Sequence, residues 1–515
     1  MGVLQLTKDT LFTNWSTAAA VLASVLALLW LVREIYIWHI HLRHIPGPFS
    51  NSITCYYSLF TWGLSGRLNA WTTSQNEKYG RVIRIGPNHI LTDDPPTLRR
   101  LGTSRSPYLK ASWYQDITRL VKDVDSTLSL SGSPHANTLH HDRHALLAPT
   151  YAGRDNTSPC LEDVLDAQVS SLISYLDRKA SQKQTVDFSN VAQYFALDAI
   201  SAILWGEPFG FLRDDEDIGC YVQTMRDFLP IRSALSSLPV LPWLRPVLSR
   251  MLPGEGDEVG LGRLMGAARG AMEAREGRKE KGGGDMMQGL MERGLKGEEL
   301  FSELVMAIVA GSDNTASALR MTLALLLTSP TAYHALSSEI TLAIATAKIS
   351  SPIRDAEAKS LPYLQAVIRE TLRLYPLPAE FYKQVSAPEG DTICGVHLPA
   401  GTWLGCNMHS AMRRRDIWGE DGDLFRPERW IEAAEADEGD GGERFRGMCG
   451  MVDLTFGSGR FQCLGKALGW MELNKVVVEM LRCFDFAAVD PARPVEVGGY
   501  LMYLITGQVV RVTRK

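Results

Sequence analysis

The sequence has no paired-cysteine spacing and no surplus of positive charge. Its eight cysteines, at positions 55, 160, 220, 394, 406, 449, 463 and 483, form no C-x-x-C and no regular framework. That argues against a zinc ribbon or a disulfide-stapled secreted fold and for a reducing compartment. A formal net charge of -5 over 515 residues leaves no electrostatic footprint for nucleic acid. No Ser-, Pro- or Gly-rich linker divides the middle of the chain, and 45% of its residues are hydrophobic. A large core around a small-molecule site is the reading these absences leave.

The N-terminus also lacks something. Met1-Gly2-Val3-Leu4 carries no basic n-region, and no small-residue cleavage site follows the apolar stretch 11–32, where Trp30, Arg33, Glu34, Tyr36 and Trp38 stand instead. A cleaved signal peptide is therefore not expected. Residues 18–32 carry no charge, and with their weakly polar shoulder they approach the ~20 residues that cross a bilayer. An uncleaved single-pass helix is expected, with residues 1–44 as membrane anchor and 45–515 as the body. Only Lys8 precedes the span, whereas Arg33, Arg43 and the histidines at 39, 41 and 44 follow it, which puts the body in the cytosol. The sequon Asn14-Trp15-Ser16 would sit too close to the membrane for glycosylation. Two prolines in Ile45-Pro46-Gly47-Pro48 prevent the helix from continuing and read as a stiff hinge.

What is present is concentrated in Phe456-Gly457-Ser458-Gly459-Arg460-Phe461-Gln462-Cys463-Leu464-Gly465. Glycines permit positive φ and close backbone approach, and the cysteine stands ahead of an apolar-periodic run, where helix-start N–H groups would stabilise a thiolate. One soft sulfur ligand without companion Cys or His fits the axial position of a haem better than a tetrahedral metal. Arg460 would face a haem propionate, and Phe456 or Phe461 would cover the sulfur. The spacing Phe-x-x-Gly-x-x-x-Cys-x-Gly, from Phe456 through Gly459 and Cys463 to Gly465, resembles the haem-binding signature of the cytochrome P450 family, the haem-thiolate monooxygenases, which implies that Phe456 and Gly457 also lie against the haem.

Further segments are similar to that family's motifs. A helix expected over 298–328 carries Ala310-Gly311-Ser312-Asp313-Asn314-Thr315, small residues and polar groups that break an apolar pattern. The resemblance implies that this segment crosses the distal haem face, with Asp313 as the acid of a proton relay. Asn314 stands where the family has threonine and Thr315 one place later, so either is expected to complete the relay. Glu370-Thr371-Leu372-Arg373 and Pro427-Glu428-Arg429-Trp430 resemble the E-x-x-R helix and P-E-R-F/W segment, which implies a buried structural triad of Glu370, Arg373 and Arg429. His140, with Arg143 and His144, resembles the propionate-binding helix imperfectly; a solvated basic helix face accounts for that cluster equally well. Lys383 lies where a propionate-binding Arg is common, and residues 376–381 would point at substrate.

Elsewhere the pattern predicts a β-hairpin over 79–93, a mixed loop over 92–130 with Trp113 and Tyr114 at its most aromatic point, and helices over 161–206 and 361–375; the resemblance implies that this loop lies over the haem. After Cys463 a helix to about residue 484 and a hairpin near 500–506 reaching the pocket are expected. Residues 207–255, rich in Leu and Pro, suggest a second shallow membrane contact. Residues 275–285 read as an exposed flexible loop, and 433–443 as a surface insertion.

The resemblance implies a mainly α fold with a small β region, a haem cofactor ligated by Cys463, and an apolar small-molecule substrate. It also implies a separate NADPH-cytochrome reductase and the endoplasmic reticulum membrane, with Lys475, Arg482 and Arg143 as candidates for the reductase-facing surface. In style the chain resembles the fungal group that includes pisatin demethylase, whose members act in secondary-metabolite pathways on terpenoids, polyketides or alkaloids. Two other classes stay open: a haem-thiolate isomerase or dehydratase that uses no dioxygen, and a non-catalytic haem-binding membrane protein.

Overall fold

The computed structural model describes residues 17–18, 20–33, 36, 40–53, 62–153, 161–236, 253–276, 284–377, 382–436, 442–500 and 502–515. Six of its helices build the site: α1 (Pro134–Tyr151), α2 (Phe188–Trp205), α3 (Gly297–Thr328), α4 (Pro362–Leu374), α5 (Glu428–Ala436) and α6 (Lys466–Cys483). Their ends follow from local chemistry. Ser133 accepts a hydrogen bond from the Ala136 N–H, with Pro134 in the first turn of α1, and Asp187 accepts from the Ser189 N–H to start α2. Gly206 ends α2 in the left-handed region, where a Cβ would be strained. The start of α4 is capped from outside: Glu339 accepts from the N–H groups of Tyr363 (2.8 Å) and Leu364 (2.9 Å). These bonds satisfy donors that every helix start leaves orphaned.

Helix α2 is buried on nearly every face, including Phe195, Leu197 and Ile200, and packs along α3. Each such buried side chain contributes roughly 1.5–3 kcal/mol. The two together fix the wall into which the site is cut.

A five-stranded sheet closes the other side. Its strands are β1 (Val82–Arg84), β2 (His89–Thr92), β3 (Tyr108–Lys110), β4 (Tyr382–Val385) and β5 (Trp403–Cys406), ordered β1-β2-β5-β4-β3. Strands β1 and β2 form the expected antiparallel hairpin, while β2 and β5 run parallel. In the antiparallel pair β3–β4, Lys110 lies opposite Lys383.

The loop expected over 92–130 is more ordered than its composition suggests. It holds a helix (Pro95–Leu101), strand β3 and a second helix (Trp113–Thr118). Trp113 and Tyr114 are buried with Ile83, Leu91 and Tyr382, so these aromatics anchor the segment to the sheet. The hinge is also docked: Leu42 and Ile45 are buried, and the Pro46 carbonyl accepts from the Arg84 N–H at 2.8 Å. The C-terminal hairpin (Glu496–Gly499 with Tyr503–Thr506) forms, but Tyr503 and Ile505 pack on Met321 and Ala324 of α3 instead of reaching the cavity. The expected insertion at 433–443 is partly helical, since α5 runs to Ala436 and a further helix spans Glu443–Asp453.

Helical residues 20–33 expose their apolar side chains, with Val21 63% and Leu29 59% accessible. Among the described residues no helix is long and apolar enough to cross a membrane. Residues 1–16, 19, 34–35 and 37–39 of the expected anchor lie outside the described residues, as do 237–252 of the expected membrane contact and 277–283 of the expected loop. The expected reductase-facing cations are not a free surface. Lys475 is fully buried against Glu162 (2.8 Å) and Asp166 (2.7 Å), Arg482 is paired with Glu479, and Arg143 is buried against Glu299 and Glu303. Helical packing, invisible in a list of charges, turned them inward.

Candidate active site

The Cys463 loop and the small-residue segment of α3 face one another across a cavity of about 330 Å³. Its walls are largely apolar, with Leu101, Ile200, Met306 and Ala310 among them, the composition of a small-molecule site.

The loop is shaped by its glycines. Gly457 and Gly459 take φ of +72° and +51°. A Cβ at Gly459 would lie 2.1 Å from the Gly102 carbonyl oxygen, and that carbonyl accepts from the Arg460 N–H at 3.0 Å. Close docking of the loop on residue 102 thus requires glycine there. The Cys463 thiol opens into the cavity, and the N–H groups of Gly465 and Lys466, at the start of α6, donate to its sulfur. Burial nevertheless wins, and raises the thiol above its ordinary value. The helix start alone does not make the thiolate expected from sequence; a cation bound at the sulfur would.

Opposite, Ala310, Gly311, Asn314 and Thr315 line the cavity. Gly311 also lets α2 approach, since a Cβ there would lie 3.0 Å from Ile200. The three polar residues diverge. Asn314 donates to the Ala310 carbonyl at 3.1 Å, and its amide oxygen is buried without a hydrogen-bond partner. Thr315 is buried and donates to Glu472 of α6 at 2.8 Å. Asp313 does not line the cavity; its Oδ1 accepts from Gln193 Nε2 of α2 at 2.8 Å. Burial pushes Glu472 up to about 8 against the opposing Thr315 hydrogen bond, so this cavity-lining acid is largely neutral at pH 7.

An edge of buried basic side chains completes the cavity. Lys110, Lys383, His140 and His144 line it. Burial lowers Lys383 to about 7, and it lowers Lys110, with help from Lys383, well below the lysine range. His140 is pushed down to about 2 by burial and then by Lys110. Lys383 donates to the Tyr114 hydroxyl, and His144 donates to the Gln462 carbonyl at 2.7 Å, tying α1 to the Cys463 loop. Arg460 does not itself line the cavity; it donates to the Ser106 and Tyr108 carbonyls, while its Nε is buried without a partner. Burial holds these basic groups toward their neutral forms, and carboxylates beside them would favour the charged forms. One sulfur donor and a rim of buried basic groups fit a planar cofactor that bears acidic groups on one edge, as haem does.

Comparison with known proteins agrees. The family model for cytochrome P450 matches residues 46–497. The chain belongs to the cytochrome P450 family. It is 36% identical to the cytochrome P450 monooxygenase ABA1 of Pyricularia oryzae, over 100% of this chain and 99% of that protein. It is 33% identical to aba1 of Botryotinia fuckeliana, over 92% of each, and 27% identical to gsfF of Penicillium aethiopicum, over 92% and 93%. The protein is a P450 monooxygenase, and its cofactor is the cysteine-ligated haem of that family.

In this P450 the structure brings Glu370, Arg373 and Arg429 together in one buried cluster. Arg373 donates to Glu370 through Nε and NH2, both at 2.8 Å, and Arg429 Nε at 2.9 Å. Trp430 Nε1, which sequence reasoning had not assigned, adds a bond at 2.9 Å. Burial would raise the Glu370 carboxyl, but Arg373 and then Arg429 hold it below the usual range. The remaining guanidinium groups donate to the Met412, Gly422 and Trp418 carbonyls, which fixes the chain between α4 and α5.

Arg143 does not line the cavity: it pairs with Glu299 at 2.7 Å and donates to the Asp125 carbonyl. Leu377 lines the cavity, whereas 378–381 lie outside the described residues. Sequence reasoning missed Lys110, Glu472 and Gln193. Lys110 had a signal of sorts, a lone charge in the run Tyr108-Leu109-Lys110-Ala111; the other two had none.

Proposed function

We propose that this P450 inserts one oxygen atom from dioxygen into a C–H or C=C bond of an apolar small molecule in fungal secondary metabolism, on a terpenoid, polyketide or alkaloid. Electrons come from NADPH through a separate reductase. The observation that carries this reading is the single cavity shared by the Cys463 thiol and the small-residue face of α3. Thiolate-bound haem supplies the reductive activation and cleavage of dioxygen. The chain's own residues do the rest. Cys463 would hold the haem iron through its sulfur, which the Gly465 and Lys466 N–H groups orient. Lys110, Lys383, His140 and His144 would hold the acidic edge of the haem. The apolar wall would exclude water and orient substrate, Asn314 would offer a hydrogen bond to a water or dioxygen in the cavity, and Asp313, behind it, would be the acid of the proton relay.

The finer placement in the group that includes pisatin demethylase belongs to the same proposal and rests on sequence style. So does anchoring in the endoplasmic reticulum membrane with the body cytosolic, which the exposed apolar helix at 20–33 supports.

The test is the reduced carbon-monoxide difference spectrum of the protein in membranes beside Cys463→Ser. A thiolate-type Soret shift lost in the variant is expected; its absence from a folded, haem-loaded parent sinks the ligation. Asn314 in the alcohol position favours one second reading, a haem-thiolate isomerase or dehydratase. Isotope-labelled dioxygen separates the two, since only the monooxygenase carries label into product.

A further inference from the structure

One acid interrupts the cavity face of α3. Glu303, Met306, Ala307, Ala310 and Asn314 all line the cavity, at a spacing that puts them on one stripe of the helix. Glu303 is the only ionisable side chain among the five. It stands two turns before Ala310, about 10 Å along the axis, at the end of the stripe away from the small residues that face Cys463.

The Glu303 carboxyl is 3% exposed, and its bonding is one-sided. Oε1 accepts from the Thr127 N–H at 2.5 Å and from the Thr127 hydroxyl at 2.6 Å, and Arg143 NH1 stands 3.7 Å from the same oxygen. Among the described residues none donates to Oε2. Lys110, on the same cavity wall, is committed to the Thr127 and Leu128 carbonyls. Burial raises this carboxyl above its ordinary value, while Thr127, Arg143 and Lys110 favour the anion. A buried carboxylate oxygen without a donor is costly, so this end of the cavity suits a donor that arrives with the ligand.

We propose that Glu303 Oε2 accepts the hydrogen bond of a substrate hydroxyl, so that the enzyme selects apolar molecules already carrying an alcohol about two helical turns from the carbon to be oxidised. The inference rests on the oxygenase reading and names the substrate class within it. The neighbouring wall offers that hydroxyl no competing acceptor from Leu128, Met306 or Ala307. An ether or a hydrocarbon in the same place leaves Oε2 unpaired, and a carboxylate meets it as a like charge. An ammonium group gains Glu303 but also meets Arg143 and Lys110. The hydroxyl is made before this enzyme acts, so a reaction that leaves an alcohol, such as hydroxylation or carbonyl reduction, must supply the substrate.

The experiment uses the full-length, haem-loaded protein and a panel of ten- to fifteen-carbon alcohols, linear and bicyclic. Each is paired with its methyl ether, which keeps the oxygen and loses the donor, and with the carboxylic acid of the same skeleton. Equilibrium dialysis gives the dissociation constants for the parent, Glu303→Gln and Thr127→Val. The parent is expected to bind the alcohols that fit about tenfold or more tighter than their ethers, the factor of a hydrogen bond to a charged acceptor, and the acids most weakly. Glu303→Gln keeps the shape and removes the charge, and should reduce the preference to about threefold or less. Thr127→Val loosens the same segment but leaves Oε2 in place, so it should weaken alcohol and ether alike and keep their ratio. A merely structural Glu303 would behave as Thr127 does.

A parent that binds ethers as tightly as alcohols, or that binds no alcohol of the panel, overturns the proposal. So does an alcohol preference that survives intact in Glu303→Gln. If that variant fails to load haem, the parent's own ratio decides. The carbon-monoxide spectrum taken on each protein keeps the two readings apart. A thiolate parent with equal affinities loses only the role of Glu303, whereas a parent without the thiolate form loses the oxygenase reading and the proposal with it.

Discussion

Thr315 on α3 donates its hydroxyl to Glu472 on α6 at 2.8 Å, linking the helix above the cavity to the helix that begins beside Cys463. The bond commits the alcohol to the far helix, and leaves Asn314 as the residue of the pair with an unpartnered polar atom in the cavity wall. Asn314→Ala is therefore expected to raise peroxide release about tenfold or more, within the range of lost proton-transfer groups. Thr315→Val should chiefly cost stability, ~1–3 kcal/mol for the stranded carboxyl. Peroxide yield and thermal unfolding measured on both variants check this; equal peroxide yields would count against it.

Glu472 gives stability a pH dependence of known sign. Its folded value of about 8 lies above the ordinary value of 4.5, so the folded chain binds the extra proton. The associated stability is fully present below about 4.5 and is lost as pH rises through 8. Glu472→Gln, which mimics the neutral acid, should lose less melting temperature between these limits than the parent. Parallel melting curves for the two proteins would refute the assignment.

Lys383 gives haem binding a pH dependence of the same sign. In the haem-free protein it titrates at about 7, and a carboxylate bound beside it favours the ammonium form. Haem binding above that pH takes up a proton, so affinity is greatest below 7 and falls by up to about tenfold per unit above it. Lys383→Met should bind haem more weakly and with a shallower pH slope, as followed by Soret absorbance during haem titration.

Removing Glu370 leaves two buried guanidinium groups without their anion. Glu370→Gln is expected to destabilise the fold by ~3–5 kcal/mol and to lower haem content in step, because the segment it fixes leads into the Cys463 loop. Denaturant unfolding gives the cost directly; a loss under ~1 kcal/mol would mean the cluster relaxes around its loss.

Gly459→Ala tests the docking of that loop. Its φ of +51° and the 2.1 Å approach of a Cβ to the Gly102 carbonyl force the backbone to move. Strain of this kind costs roughly 1–3 kcal/mol, and the carbon-monoxide spectrum should shift toward the form lacking a thiolate. An unchanged spectrum would show that the loop holds its sulfur without residue 102.

Much of the site was readable because its parts are local. The Cys463 loop, Glu370 with Arg373 at helical spacing, and the small-residue break in α3 each lie within ten residues, where turn chemistry and periodicity act directly. Asp313 was readable in the same way, but not its partner: Gln193 lies 120 residues away, and Glu472 lies 157 from Thr315. A buried Gln or Glu on an apolar helix looks the same in sequence whether it faces a carboxylate, a hydroxyl or nothing. The basic residues misled for a related reason, since Lys475 and Arg143 have acidic partners supplied by other helices.

The parallel pairing of β2 with β5 joins residues 89–92 to 403–406, and the Arg460 N–H reaches back to the Gly102 carbonyl. Contacts of such separation are slow to form, because loop closure precedes the gain. On the ribosome the first contact waits for residue 406 of 515 to emerge and the second for residue 460, so the cavity is a late product of folding. The chain must stay soluble and unaggregated without its haem until then. Cofactor supply and chaperone capacity, more than the rate of translation, should limit how much active protein a cell accumulates.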